Sequence, residues 1–296
     1  MLVSIIIVNY HTVVLVENTI KSVIEKTENI DFEFIIVDNN SGDDLTPLNR
    51  LKLDSIHIYY LPENLGFGKA CNYGANHSKG EYLFFLNPDT ILRNNAILIL
   101  VNALNQNKEY GIVGGNLYTT EGDPNLSYGP VLPSITDDLY GTTKNILYNF
   151  YLKRNLFFNS TGRDKDVAYI TGADIMIKAD VFSKTGGFDK RFFMYYEDAD
   201  LSARIKELGL RVVSIPSAEI VHLEGRSVDF KEKRFKLIYE GRKTYYCIHY
   251  SKLYIIIADL LRCVYTLFSC ILYVGNVERI KMQLKKLKIF LTVSMK

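Results

Sequence analysis

The stretch YLFFLNPDT (residues 82–90) decides the fold. Tyr82 to Leu86 run without a polar break, as expected of a strand buried on both faces of a parallel sheet. The run passes straight into Asn87-Pro88-Asp89. Pro88 fixes φ and removes a backbone donor, so the turn is stiff and the Asp89 carboxylate is held in place. A carboxylate at the carboxyl edge of a strand suits a hard divalent cation that bridges phosphates.

Working outward, strands and helices alternate. VSIIIV (3–8) is a β-branched run broken only by Ser4, and EFIIV (33–37) and IHIYYL (56–61) are further strands. Val13, Val16, Ile20, Val23 and Ile24 have near-helical spacing over 13–26. Helices are also expected over about 67–78 and 95–107, before the extended segment that opens with GIVGG (111–115). This order predicts an α/β fold, a mainly parallel sheet with helices on both faces. Ligands of such sheets bind at the carboxyl ends of the strands. Three of those ends are polar here: Asn9-Tyr10, Asp38-Asn39 and Asn87-Pro88-Asp89. Asp38 has two readings, a turn-forming residue or a hydrogen-bond acceptor for a base N–H or a ribose hydroxyl.

A dinucleotide site would place glycines after the first strand, where this chain has NYHTV (9–13). GFGKAC (66–71) follows the third strand and lacks the last glycine of the fingerprint. Gly66 and Gly68 instead open a helix and allow close backbone approach.

A second constellation is GGFDKRFFMYYEDADLSARIKELG (186–209). Leu201, Ile205 and Leu208 give a helix that Gly209 ends, with Glu197, Asp198 and Asp200 at its start. Acidic residues in a first turn are ordinary macrodipole partners. Three crowded carboxylates also push one pKa upward, toward a value useful to a general base. Tyr195 and Tyr196 could wall a sugar-sized cleft. In AEIVHLEGRS (218–227), His222 is either a structural histidine or a metal ligand, and Arg226 could face a phosphate.

The ordered set VSIIIVNYH, VDNNSGD, NLGFGKACNYG, FLNPDT, TGADIMIKADVF, the 186–209 stretch and IVHLEG resembles the family 2 glycosyltransferases, nearest their rhamnosyltransferase-like branch in cell-surface polysaccharide (O-antigen or capsule) synthesis. The resemblance covers residues 1–230. It implies the GT-A fold and a sugar transferred with inversion from a nucleotide diphosphate donor to a hydroxyl of a glycan or polyprenyl-linked saccharide, with Mg²⁺ or Mn²⁺. It implies that Asn9 and Tyr10 lie under the nucleotide, that Asp38, beside Asn39, binds the base or ribose, and that Gly66 and Asn72 shape its pocket. Asp89 would bind the metal and His222 would complete that site, while Asn87 replaces the first acid of the family's D-x-D-type motif. Asp198 would be the general base, with Glu197 its rival. Asp174 would lie on the acceptor side. The alternative is a sugar-nucleotide-binding protein without turnover in a polysaccharide assembly complex.

Composition bounds the rest. The chain has 296 residues, 48% of them hydrophobic and 23% charged, enough to bury a core. Of 35 Lys/Arg and 33 Asp/Glu, residues 231–296 hold 14 and 4, a balance of +10; residues 1–230 carry the other 21 and 29, a balance of −8. A basic tail on an acidic body suggests an anionic surface. The four cysteines match no metal or disulfide spacing and read as reduced thiols of a cytoplasmic protein. MLVSIIIVNYH is a first strand, not a signal peptide.

Residues 231–296 are expected to form a helical, membrane-associating extension, peripheral on the inner face of the cell membrane. The mixed basic and aromatic segment 231–252 raises nucleic-acid binding, which is set aside. LYIIIADLLRCVYTLFSCILYV (253–274) is long enough to span a bilayer. Asp259 and Arg262, at i and i+3, are costly there, so a helix in the interface or packed on the body is favoured. ERIKMQLKKLKIFL (278–291) carries Ile280, Leu284, Leu287 and Leu291 beside lysines, a basic amphipathic helix suited to anionic lipid. Its other reading is a helix packed on the body with solvated lysines.

Overall fold

The computed structural model describes residues 1–51, 55–136, 138, 156–223, 231–273 and 276–294. By its internal contacts the chain divides into two units. The first holds residues 1–130, 155–193 and 197–227; the second holds 131–154, 194–196 and 228–296.

The first unit opens with β1 (Leu2–Asn9), α1 (Val13–Lys26), β2 (Asp31–Asp38), α2 (Thr46–Asn49), β3 (Ile56–Tyr60), α3 (Phe67–Asn76), β4 (Tyr82–Leu86) and β5 (Thr90–Leu92). It continues with α4 (Ala96–Gln106), β6 (Tyr110–Tyr118), β7 (Tyr128–Gly129), β8 (Lys165–Asp166), β9 (Tyr169–Ile170) and β10 (Asp174–Lys178). α5 (Ala179–Thr185), α6 (Glu197–Glu207) and β11 (Arg211–His222) complete it. The main sheet has the order β3-β2-β1-β4-β10-β6-β11-β5, with β8 added on β11. β1 pairs in parallel with β2 and β4, and β2 with β3. β10 runs antiparallel between β4 and β6. The sheet is therefore mixed at its centre and parallel on the β3–β4 side.

The reason for the mostly apolar runs is visible in β1, where Ser4 is the one polar residue before Asn9. Val3, Ile5 and Ile7 face a core built with Ile20 of α1 and Leu100 of α4. Ile6 and Val8 face a second core with Ala70 of α3 and Leu201 of α6. A strand buried on both faces cannot alternate with polar residues.

The second unit contains α7 (Lys231–His249), α8 (Lys252–Leu272) and α9 (Val277–Ser294). Tyr239, Phe290 and Val293 form one buried apolar cluster in it, with Leu287 and Cys263 packed on them. Leu284 and Leu291 of α9 point outward, so the stripe expected over 280–291 is divided between the inside and the outside of this unit. Arg242, 2% exposed, donates to Asp138 Oδ2 at 2.6 Å and to Asp259 Oδ1 at 2.8 Å. Arg262 donates to Asp138 Oδ1 at 2.5 Å, and the Tyr246 hydroxyl to Asp138 Oδ2 at 3.0 Å. Asp259 and Arg262, which could have answered one another along one helix, are thus each bonded to another segment.

Candidate active site

The carboxyl ends of β1 and β2 are in register, Asn9 beside Asp38. The wholly buried Asn9 spreads its amide over the loop that follows β2. Nδ2 donates to Asp38 Oδ1 at 2.8 Å, to Ser41 Oγ at 3.1 Å and to Asp43 Oδ2 at 3.0 Å. Asp38 Oδ2 accepts from Ser41 N at 3.1 Å, and the Ser41 hydroxyl donates to Oδ1. Both Asp38 oxygens thus serve the loop, which is the turn-forming reading of that residue. Asn39 Oδ1 accepts from Leu65 N at 2.8 Å, and Nδ2 donates to Gly66 O at 3.1 Å. Tyr10 is half-buried at the rim.

Gly66 stands at φ +84°, and a Cβ there would lie 2.0 Å from the Phe193 carbonyl oxygen. Phe67 N donates to that oxygen at 2.8 Å. Asn72, one turn into α3, bonds the Phe188 backbone on both sides: Nδ2 to O at 2.7 Å, and N to Oδ1 at 2.9 Å. Asn72 thus braces the 186–188 loop. Gly66 and Asn72 together draw the chain before α6 against α3.

The Asn87-Pro88-Asp89 turn is fixed from several sides. Asn87 N donates to Ala173 O at 2.9 Å, and Leu223 N to Asp89 O at 2.9 Å. The Thr19 hydroxyl lies 2.7 Å from both Pro88 O and Thr90 O. Asp89 is 5% exposed, and its Oδ1 lies 3.3 Å from His222 Nε2. Asn87 Nδ2 lies 3.5 Å from the same nitrogen. A carboxylate oxygen and an imidazole nitrogen so placed are a donor pair fit for one divalent ion: the carboxylate is the hard ligand that suits Mg²⁺ or Mn²⁺, and the imidazole a borderline one that fits Mn²⁺ better than Mg²⁺. Among the described residues no third His, Cys, Asp or Glu joins them, so further ligands would be diphosphate oxygens and water.

At the start of α6 the three acids separate. Asp198 Oδ2 accepts from Gly172 N at 3.0 Å, and Oδ1 from Ala199 N at 2.8 Å. Burial raises its carboxyl above the ordinary aspartate value, against the lowering by these N–H groups. Glu197 is buried beside α3, its Cβ 3.6 Å from where a side chain at Gly68 would begin. Asp200 is wholly buried and holds Arg204 at 2.7 Å, a helix-internal pair. Tyr195 and Tyr196 both have left-handed φ, 70° and 72°. They belong to the second unit, where the Tyr196 ring lies 6.0 Å from Tyr245.

Asp174 corrects its expected place on the acceptor side. It has no exposed surface, and its Oδ2 accepts from Gly115 N of β6 at 2.5 Å. As the first residue of the antiparallel β10 it pairs with Leu86 of β4, between β4 and β6. Burial raises its carboxyl well above the usual range. Arg226 lies outside the described residues. Sequence reading missed Ser41, Asp43 and Gly172. The first two sit in the turn-rich DNNSGDD, but Gly172 acts through its backbone and leaves no side-chain signal.

The segment Thr171–Ala173 joins the two halves of this edge, bonding the Asn87 turn through Ala173 O and Asp198 through Gly172 N. A mixed sheet that carries two fixed acids on one edge is the frame of a GT-A sugar transferase. The mannosyltransferase PcManGT from Pyrobaculum calidifontis, solved in complex with GDP-Man and Mn²⁺, shares the fold at TM-score 0.63 and 15% identity, over 98% of this chain and 86% of that one. The family model Glycosyl transferase family 2 matches residues 4–181, and the chain belongs to that family. It is an enzyme, a glycosyltransferase. It is 25% identical to N-acetylglucosaminyl-diphospho-decaprenol L-rhamnosyltransferase of Mycobacterium tuberculosis, over 76% of this chain and 74% of that protein. It is 24% identical to rhamnosyltransferase WbbL of Escherichia coli, over 70% and 79%.

Proposed function

We propose that the enzyme moves an L-rhamnosyl group from a nucleoside diphosphate donor to a hydroxyl of a lipid-linked saccharide, with inversion, in the synthesis of a cell-surface polysaccharide. The observation that carries this reading is the Thr171–Ala173 segment, which fixes the Asp89 turn and the Asp198 carboxylate together. Asp198 is the base: its raised carboxyl is suited to take a proton from the acceptor hydroxyl as that oxygen attacks the anomeric carbon. Asp89 and His222 would hold Mg²⁺ or Mn²⁺, which when bound offsets charge on the diphosphate leaving group. Asn9, Asp38 and Asn39 shape the loops that receive the nucleoside, with Tyr10 at the rim. One base without a paired nucleophile accounts for inversion. The rhamnosyl donor and lipid-linked acceptor are supported by the names of the relatives. A lipid-linked acceptor and the +10 balance of residues 231–296 support work at the inner face of the cell membrane.

The test is a panel of nucleotide sugars, a nucleoside diphosphate L-rhamnose among them, incubated with a polyprenyl-diphosphate saccharide and Mn²⁺. Mass spectrometry should find one added deoxyhexose, and NMR the inverted anomer. A retained anomer would overturn the single displacement. Donor binding with no transfer from any sugar would return the protein to the non-catalytic class.

A further inference from the structure

The apolar helix α8 has one face that the described residues of the second unit leave uncovered. Leu253, Ile256, Leu260, Val264, Leu267 and Ile271 are 52 to 67% exposed. At about 100° per residue they fall within an arc of about 80°, and the stripe runs about 27 Å at 1.5 Å per residue. The helix is long and apolar enough to cross a membrane by length and composition. Its charges argue for another orientation. Asp259 and Arg262 stand about 100° and 160° from the centre of the stripe. Both are bonded into the ion network of the second unit, Asp259 to Arg242 and Arg262 to Asp138. A span would carry that whole network into hydrocarbon, where paired charges remain costly.

We infer that α8 lies in the plane of a bilayer, its 253–271 stripe sunk into the headgroup–acyl boundary and its charged side turned to the protein. This deepens the membrane reading above and rests on it. Charge chooses the occupant. Residues 231–296 carry a balance of +10, and Lys236 and Lys281 of the neighbouring helices are exposed. An anionic headgroup layer complements that charge, whereas a second copy of this chain would bring the same charge against it.

The chain has no tryptophan, so an introduced one reports alone. Leu253→Trp, Leu260→Trp and Ile271→Trp are each made in the full chain and mixed with phosphatidylglycerol/phosphatidylcholine vesicles brominated at shallow or deep acyl positions. Circular dichroism confirms folding. The in-plane helix requires all three to be quenched to a similar extent and best by shallow bromine. Deep quenching of Leu260→Trp with shallow quenching at the two ends would mean a span and overturn the inference. No quenching at any site would overturn the membrane reading itself, while transfer to a water-soluble acceptor analogue would still report on the catalytic reading. A lipid-free blue shift with dimers in sedimentation equilibrium would assign the face to a second copy, again against the inference. As a second measurement, Leu260→Glu with Val264→Glu should reduce vesicle flotation at least tenfold while activity on the soluble analogue stays unchanged.

Discussion

Oδ1 of Asp89 and Nε2 of His222 stand 3.3 Å apart, the first in the turn after β4 and the second at the last residue of β11. The pair exists because β11 runs past β6 to lie antiparallel to β5, setting His222 opposite Thr90.

If this pair holds the cation, Asp89→Ala should abolish transfer, and His222→Ala should weaken nucleoside diphosphate binding in Mn²⁺ but much less in EDTA. Titration calorimetry with and without metal is the measurement. Equal affinity of wild type and both variants under the two conditions would remove the pair from the metal site.

Asp198→Asn keeps the shape and removes the basicity. Transfer should fall by about 10²–10⁴-fold, the usual contribution of a general base, with donor affinity kept. The raised folded carboxyl also sets a direction for pH. Activity needs the carboxylate, so the acid limb of the rate profile should lie above the ordinary aspartate value of about 4. Glu197→Gln is the control, because Glu197 is turned toward α3; a dead Glu197→Gln beside an active Asp198→Asn would exchange their roles.

Asp174 should make stability fall as pH rises. Its folded carboxyl holds a proton that the unfolded chain releases above about pH 4. The favourable contribution is therefore complete below that value and is lost as pH climbs toward the folded pKa. Asp174→Asn retains an acceptor for Gly115 N–H and cannot ionise. Urea titrations from pH 4 to 8 should show a flatter profile for Asp174→Asn than for wild type. Parallel profiles would mean that the carboxyl is not neutral in the sheet.

Gly66→Ala should destabilise the fold. At φ +84° and ψ 179° the backbone is in a region kept almost wholly for glycine, worth about 1–3 kcal/mol, and the added Cβ would strike Phe193 O. A thermal midpoint lower by about 2–4 °C per kcal/mol is expected; an unchanged midpoint would show that the 193 loop gives way.

The parallel half of the sheet was legible because β1, β2 and β4 are buried on both faces and so read as nearly unbroken apolar runs; the polar exceptions, Ser4 and Glu33, bond each other at 2.6 Å. β10 was not legible as antiparallel, since DIMIK has the same apolar character whichever way it runs. Asp38, Asp89 and Asp198 stand out as candidates because they end or follow strands or start a helix. Asp174 was misplaced because nothing local tells a buried protonated acid from an exposed one; its partner is a backbone N–H 59 positions away. The Asp138–Arg242 pair spans 104 positions, beyond any periodicity.

Three of the bonds that set the two acids are donated by main-chain groups: Asn87 N to Ala173 O, Leu223 N to Asp89 O, and Gly172 N to Asp198. Short of proline, no single replacement at residues 87, 172 or 223 deletes its amide donor. These three donors of the candidate site are thereby insulated from genetic drift at the positions that carry them. Side chains at residues 87, 172 and 223 can be exchanged while these three bonds keep their donors.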